Sequence, residues 1–167
     1  MKFNIPNSLT LIRILLIPII VFLFLSNQEG YRFIIFSLFL LATITDYLDG
    51  FFARYMKQVT NFGVFLDPVA DKLLVIITLI LLITENQDIF FLIPVLIIVT
   101  REFLVIAIRQ RLAEVGDSIK LSVLLISKVK TAIQLISLLL LLFKFPIFGI
   151  DIYQLGIYLL QIASLLT

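Results

Sequence analysis

The chain has 167 residues, of which 62% are hydrophobic and 14% are charged, and its formal net charge is +2. Soluble domains are about 45–50% apolar and about 25% charged, so a single core cannot hide this much apolar side chain. The composition predicts an integral membrane protein with one domain, residues 1–167. Because the chain has no cysteine and no histidine, disulfides, thiolate or imidazole metal sites and imidazole bases are excluded.

Six apolar stretches follow one another along the chain. They cover about 9–25, 32–55, 68–84, 89–112, 120–143 and 151–167. Their length and lack of strict alternation favour helices over barrel strands, so the predicted fold is all-α with six transmembrane helices. Ser8 is the candidate cap of the first helix. Arg13 and Pro18 interrupt this first stretch, which we therefore expect to be retained rather than cleaved as a signal peptide.

The basic residues predict the orientation. If the amino terminus lies inside, all thirteen lysines and arginines except Arg32 and Lys144 fall on the cytoplasmic side. Such a bias is typical of multi-pass membrane proteins. We expect a protein of the inner or plasma membrane whose polar residues gather near the cytoplasmic face.

Four aspartates lie in the segment "DYLDGFFARYMKQVTNFGVFLDPVAD", where a charge near hydrocarbon is costly. They are Asp46, Asp49, Asp67 and Asp71. Spacings of three and four place each pair on one face of a helix. A turn from about Met56 to Phe62 makes the two helices antiparallel neighbours. One or two divalent cations would relieve the mutual repulsion of four carboxylates, and all-oxygen ligands suit Mg²⁺, Mn²⁺ or Ca²⁺.

Small residues accompany these carboxylates. Gly50, Ala53 and Gly63 leave bare backbone for a bulky polar ligand, and Arg54 can reach a phosphate. Carboxylate-held Mg²⁺ usually also binds substrate phosphates, so the segment indicates a metal-bound diphosphate site. The alternative is that the aspartates cap helices and pair with neighbouring cations. Those cations would be Arg54, Lys57 and Lys72.

The spacing D-x2-D-G-x2-A-R-x8-G-x3-D-x3-D, from Asp46 to Asp71, resembles the full signature of the CDP-alcohol phosphatidyltransferase family. The similarity extends to about Leu142. The segments "NIPNSLTLIRILLIP", "NFGVFLDPVADKLLV", "TREFLVIAIR" and "SKVKTAIQ" are similar to bacterial members that make phosphatidylglycerophosphate. Family members generally complete the sixth helix and add a basic tail, whereas this sequence stops at Thr167.

The resemblance implies a six-helix membrane enzyme, usually a homodimer, that moves a phosphatidyl group from CDP-diacylglycerol to an alcohol and releases CMP. It implies two divalent ions, Mg²⁺ or Mn²⁺, on the four aspartates, with Asp71 also the general base. It further places Gly50, Ala53, Arg54 and Gly63 at the CDP-diacylglycerol site. No nucleic-acid partner is expected.

Four basic residues near the predicted cytoplasmic ends of the fourth and fifth helices concern the acceptor. They are Arg101, Arg109, Lys128 and Lys130. A cluster of cations suggests an acceptor with its own phosphate, and glycerol 3-phosphate fits. The alternative is a basic flank that orients the helices. Glu102 would pair with an arginine.

Three polar residues of the first helix have two interpretations. Asn7, Thr10 and Arg13 either close the nucleotide site or act as a cap and an interfacial anchor.

Two other functions compete with this interpretation. One is transfer to another acceptor: inositol phosphate, serine or phosphatidylglycerol. The other is metal-ion transport, since acidic residues in membrane helices also mark ion paths. Against transport, all four aspartates lie toward one predicted face, with no acidic residue marking a route to the other.

Overall fold

The structure is a computed structural model that describes residues 5–28, 30–56, 61–115, 125–145 and 151–167. Six helices occupy these ranges. They are α1 (Ile5–Leu25), α2 (Tyr31–Met56), α3 (Asn61–Glu85), α4 (Ile89–Val115), α5 (Leu125–Phe143) and α6 (Ile152–Leu165). The described ranges contain no strand, which confirms the all-α prediction and the number of helices.

Two predicted helix starts were wrong. Helix α1 begins at Ile5, so Ser8 lies inside its first turn and is not its cap. Pro6 is well suited to the first turn because proline has a helical φ and lacks only an N–H that needs no helical partner there. Helix α3 begins at Asn61 rather than near Pro68, where the third apolar stretch begins. Part of the predicted turn, residues 57–60, lies outside the described residues.

The chain forms two compact units, and the first contains residues 1–81 and 142–144. In it α1 packs against α2. Their buried residues recur at spacings of three and four, which defines one stripe on each helix. The stripe of α1 is Thr10, Arg13, Ile17, Ile20 and Phe24, and that of α2 is Ile35, Phe39 and Ala42. Each stripe is apolar at one end and has a charged residue toward the other. On α1 this residue is Arg13, and on α2 it is Asp46, which lies four residues beyond Ala42.

The two cations predicted to lie outside belong to the opposite end of this unit. The Arg32 guanidinium carbon lies 4.9 Å from the centroid of the Phe24 ring. The rings of Phe36 and Phe143 make an edge contact at 5.1 Å. Burial and then the positive charge of Arg32 lower the pKa of Lys144 below the ordinary lysine value. Arg32 and Lys144 are therefore close enough to repel each other, in keeping with their predicted location on one side.

The second unit contains residues 82–141 and 145–167. Helix α4 packs against α6, and Ser137 of α5 donates a hydrogen bond of 2.7 Å to the Gly156 carbonyl of α6. Asp151 caps α6 by accepting a hydrogen bond from the Gln154 N–H at 3.2 Å. Buried residues again form stripes: Phe91, Val95, Ile98 and Glu102 on α4, and Lys130, Gln134, Ser137 and Leu141 on α5.

One helical segment among the described residues, Ile89–Ile108, is long and apolar enough to cross a membrane, with a mean hydropathy of 2.5. Two shorter apolar segments, Thr10–Leu25 and Ile152–Leu165, fall below the length that this criterion requires.

Helices α5 and α6 approach each other closely at Gly156. A Cβ at this position would lie 2.9 Å from Leu141 Cγ and 3.3 Å from the Leu141 backbone nitrogen. We expect Gly156→Ala to lower the melting temperature of the detergent-solubilised protein by about 2–4 °C. Overpacking costs about 1–3 kcal/mol, and the better helix propensity of alanine recovers only about 1 kcal/mol.

The control for this prediction is Gly30→Ala. A Cβ at Gly30 would have nothing within 4 Å, so its melting temperature should equal that of the parent or exceed it slightly. Equal melting temperatures for the two variants would show that α5 and α6 do not pack closely at Gly156.

Candidate active site

The aspartate motif lies on two consecutive helices. Asp46, Asp49, Gly50, Ala53 and Arg54 belong to α2, and Gly63, Asp67 and Asp71 belong to α3. The structure describes the side chain of Asp46 only; those of the other seven motif residues lie outside the described side chains. Positions 46, 49 and 53 continue the spacing of the α2 stripe that contacts α1. The gathering of four carboxylates stays a prediction.

Asp46 forms an ion pair with Arg13 of α1. Arg13 Nη1 lies 3.1 Å from Asp46 Oδ1. The two side chains differ in burial, since that of Arg13 is 0% exposed and that of Asp46 is 38% exposed. The stripe of α1 therefore fixes a guanidinium against the first aspartate of the motif, while that carboxylate still reaches solvent.

The one described carboxylate of the motif, Asp46, has the donor chemistry that a divalent cation prefers. A carboxylate has two oxygens, and Oδ1 of Asp46 is the one in the ion pair with Arg13. The side chain as a whole keeps 38% exposure. Oxygen donors of this kind are the ligands that Mg²⁺ and Mn²⁺ prefer, so the donor chemistry agrees with the predicted metal site.

A second interhelical ion pair, in which both side chains are buried, joins α4 and α5 in the other unit. Lys130 Nζ lies 2.6 Å from Glu102 Oε1, and their side chains are 1% and 2% exposed. Arg101 Nη1 lies 3.3 Å from the same oxygen, and its side chain is 33% exposed. One carboxylate therefore draws together two of the four cations predicted to bind the acceptor phosphate.

The other two predicted acceptor residues are less closely defined. Lys128 lies on α5 and is exposed. Arg109 lies on α4, but its side chain lies outside the described ones. The structure thus brings Arg101 and Lys130 together, leaves Lys128 accessible, and does not test their roles.

Sequence reasoning missed both interhelical ion pairs. It assigned Glu102 to an arginine, and the Arg101 contact agrees, but the shorter contact is with Lys130. For Arg13 the sequence allowed two interpretations, a residue of the nucleotide site or an interfacial anchor. The available signal was spacing: Arg13 follows the same three-and-four pattern as Ile17, Ile20 and Phe24. A charge within an apolar stripe requires a partner.

Comparison with known proteins agrees with the motif. Residues 3–167 match the family model described as CDP-alcohol phosphatidyltransferase. Three bacterial relatives named CDP-diacylglycerol–glycerol-3-phosphate 3-phosphatidyltransferase are similar to the whole chain. The protein of Wigglesworthia glossinidia brevipalpis is 43% identical and is 92% covered. That of Haemophilus influenzae is 41% identical and 89% covered, and that of Escherichia coli K12 is 40% identical and 90% covered.

Proposed function

Because the chain belongs to the CDP-alcohol phosphatidyltransferase family, we propose that it transfers the phosphatidyl group of CDP-diacylglycerol to glycerol 3-phosphate and releases CMP. The observation that carries this proposal is similarity over 100% of the chain to relatives whose names state both substrates. The protein is accordingly a transferase of phospholipid synthesis, and its product is phosphatidylglycerophosphate.

The reaction requires one bond to form and one to break at the same phosphorus. A hydroxyl oxygen of glycerol 3-phosphate bonds to the phosphatidyl phosphorus, and the bond from that phosphorus to the CMP oxygen breaks. CMP leaves with the electrons of that bond. Asp71 accepts the hydroxyl proton; since the chain has no histidine, a carboxylate is the natural base.

We assign the metal and nucleotide sites to the motif residues. Asp46, Asp49, Asp67 and Asp71 hold two divalent cations, Mg²⁺ or Mn²⁺. When bound, these ions supply charge neutralisation at the diphosphate oxygens. Gly50, Ala53 and Gly63 allow the nucleotide to approach the backbone, and Arg54 binds a phosphate. The carboxylate of Asp46, half-exposed and held at one oxygen, supports this assignment.

We assign the acceptor phosphate to Arg101, Arg109, Lys128 and Lys130. Two observations support this: Lys128 is exposed, and the Arg101 side chain keeps 33% exposure while it contacts Glu102. Lys130 has a carboxylate partner and is almost fully buried. A role of Lys130 in phosphate binding therefore requires that it exchange its contact with Glu102 for the acceptor.

The same proposal includes the setting of the enzyme. We propose a single catalytic domain, residues 1–167, that crosses the inner or plasma membrane six times and acts as a homodimer on the cytoplasmic side. The apolar composition and the distribution of lysine and arginine support the topology. Glycerol 3-phosphate is a charged, water-soluble substrate, whereas CDP-diacylglycerol resides in the bilayer, so the site must be open to both phases.

The test is a reconstituted assay. Purified protein in phosphatidylglycerol-free liposomes receives CDP-diacylglycerol, labelled glycerol 3-phosphate and Mg²⁺ or Mn²⁺, with parallel samples containing serine, inositol phosphate or phosphatidylglycerol. We expect labelled phosphatidylglycerophosphate and one CMP per product, and loss of both with a chelator. If CMP is released only with another alcohol, that alcohol is the acceptor and glycerol 3-phosphate is not. Metal flux into vesicles without nucleotide turnover would contradict the enzymatic proposal and favour transport.

A further inference from the structure

The ion pair between Arg13 and Asp46 is asymmetric in a way that the packing of α1 on α2 does not require. Arg13 has a side-chain exposure of 0%, and Asp46, one helical turn beyond the buried Ala42, has 38%. The pair between Glu102 and Lys130 differs, since both of its side chains are buried, at 2% and 1% exposure. Here the cation is buried and the anion is left accessible.

The burial of Arg13 makes it a fixed donor. Arginine stays charged in proteins, so its guanidinium must be compensated wherever it is buried. The stripe neighbours Thr10 and Ile17 are buried on either side of it. Its side chain therefore has little freedom, and Nη1 holds Asp46 Oδ1 at 3.1 Å from a set direction.

We propose that Arg13 is a positioning residue for the metal site: it fixes the carboxylate of Asp46 through Oδ1, so that the other oxygen is presented to a divalent cation. This inference rests on the proposed function, because it takes Asp46 as a metal ligand. Partners that orient metal ligands typically contribute 10–100-fold to metal affinity.

Arg13 affects the metal affinity in two opposite ways, through its positive charge and through its hold on Asp46. The direction in which the affinity changes when Arg13 is removed therefore tests the proposal. Removing a cation near the site reduces repulsion and favours the metal, whereas releasing Asp46 disfavours it. Because the loss of a partner that orients a ligand typically costs 10–100-fold in metal affinity, we expect the orientation effect to be the larger. We therefore expect Arg13→Met to weaken Mn²⁺ binding about tenfold.

The measurement is Mn²⁺ binding by electron paramagnetic resonance on the full detergent-solubilised chain, without nucleotide or acceptor. Arg13→Lys keeps a donor of similar reach and should retain an affinity within about threefold of the parent. Arg32→Met is the matched control, because Arg32 lies at the other end of α2 against Phe24; its Mn²⁺ affinity should be unchanged. Circular dichroism and size-exclusion chromatography select the folded samples that are compared.

Asp46→Asn separates this inference from the proposed function. If Asp46→Asn and Arg13→Met both weaken Mn²⁺ binding and Arg13→Lys does not, the positioning role is supported. If Asp46→Asn weakens binding but folded Arg13→Met binds Mn²⁺ equally or more tightly, the role is overturned and the metal site stands. If Asp46→Asn leaves binding unchanged, the metal assignment of Asp46 fails and the role of Arg13 fails with it.

Discussion

Asp71→Asn should lower kcat about a thousandfold while the protein remains folded. General acid–base groups contribute 10²–10⁴-fold, and asparagine cannot accept the proton of the acceptor hydroxyl. Asparagine has nearly the size and helix propensity of aspartate, so α3, which runs from Asn61 to Glu85, should form in the variant as in the parent. The rate is measured as CMP released from CDP-diacylglycerol in the presence of glycerol 3-phosphate.

Measuring the rate of Asp71→Asn at low and at saturating Mn²⁺ separates the roles of Asp71 as base and as metal ligand. If it were a ligand alone, raising Mn²⁺ to saturation would restore most of the rate; as a base, its loss leaves the rate low at every metal concentration. Asp88→Asn is the matched control. Asp88 caps α4 by accepting from the Phe90 N–H at 3.2 Å, and asparagine caps equally well. A rate within about threefold of the parent for Asp71→Asn would contradict its role as base.

The sequence was sufficient for the helices because each is a long apolar run bounded by polar residues. The helix boundaries were harder to predict where a residue with the features of a helix start lies inside a longer helix. Pro68 has the features of a helix start, yet it lies inside α3, which begins at Asn61. An interior proline removes one backbone hydrogen bond, and packing along a 25-residue helix can offset that loss.

The two ion pairs could not be predicted in the same way. Spacing shows that Arg13 and Lys130 each continue a buried stripe, but it does not give the rotation of one helix against another. Lys130 and Glu102 are 28 residues apart in the chain, and only the packing of α4 and α5 brings them within hydrogen-bond distance. The motif was easier to find because its spacing is local, within α2 and the helix that follows.

Lys130→Met should destabilise the protein strongly. The change leaves Glu102 as a buried carboxylate that has lost its 2.6 Å contact with Lys130 Nζ. Breaking a buried pair by removing one partner costs about 3–5 kcal/mol, and the remaining Arg101 contact at 3.3 Å places this case near the lower limit. We expect the melting temperature in detergent to fall by about 6–12 °C. Lys128→Met, two residues earlier and exposed, is the matched control and should melt like the parent.

The double variant Glu102→Leu/Lys130→Met tests whether the pair stabilises the fold or serves the acceptor. Replacing a whole buried pair by apolar residues is often neutral or stabilising, so the double variant should melt near the parent temperature. With the fold restored, the KM for glycerol 3-phosphate reports on Lys130 itself. If Lys130 binds the acceptor phosphate, KM rises about tenfold or more, as expected for a lost charge-assisted hydrogen bond. If KM matches that of the parent, Lys130 only pairs with Glu102, and Arg101, Arg109 and Lys128 are left to bind the phosphate.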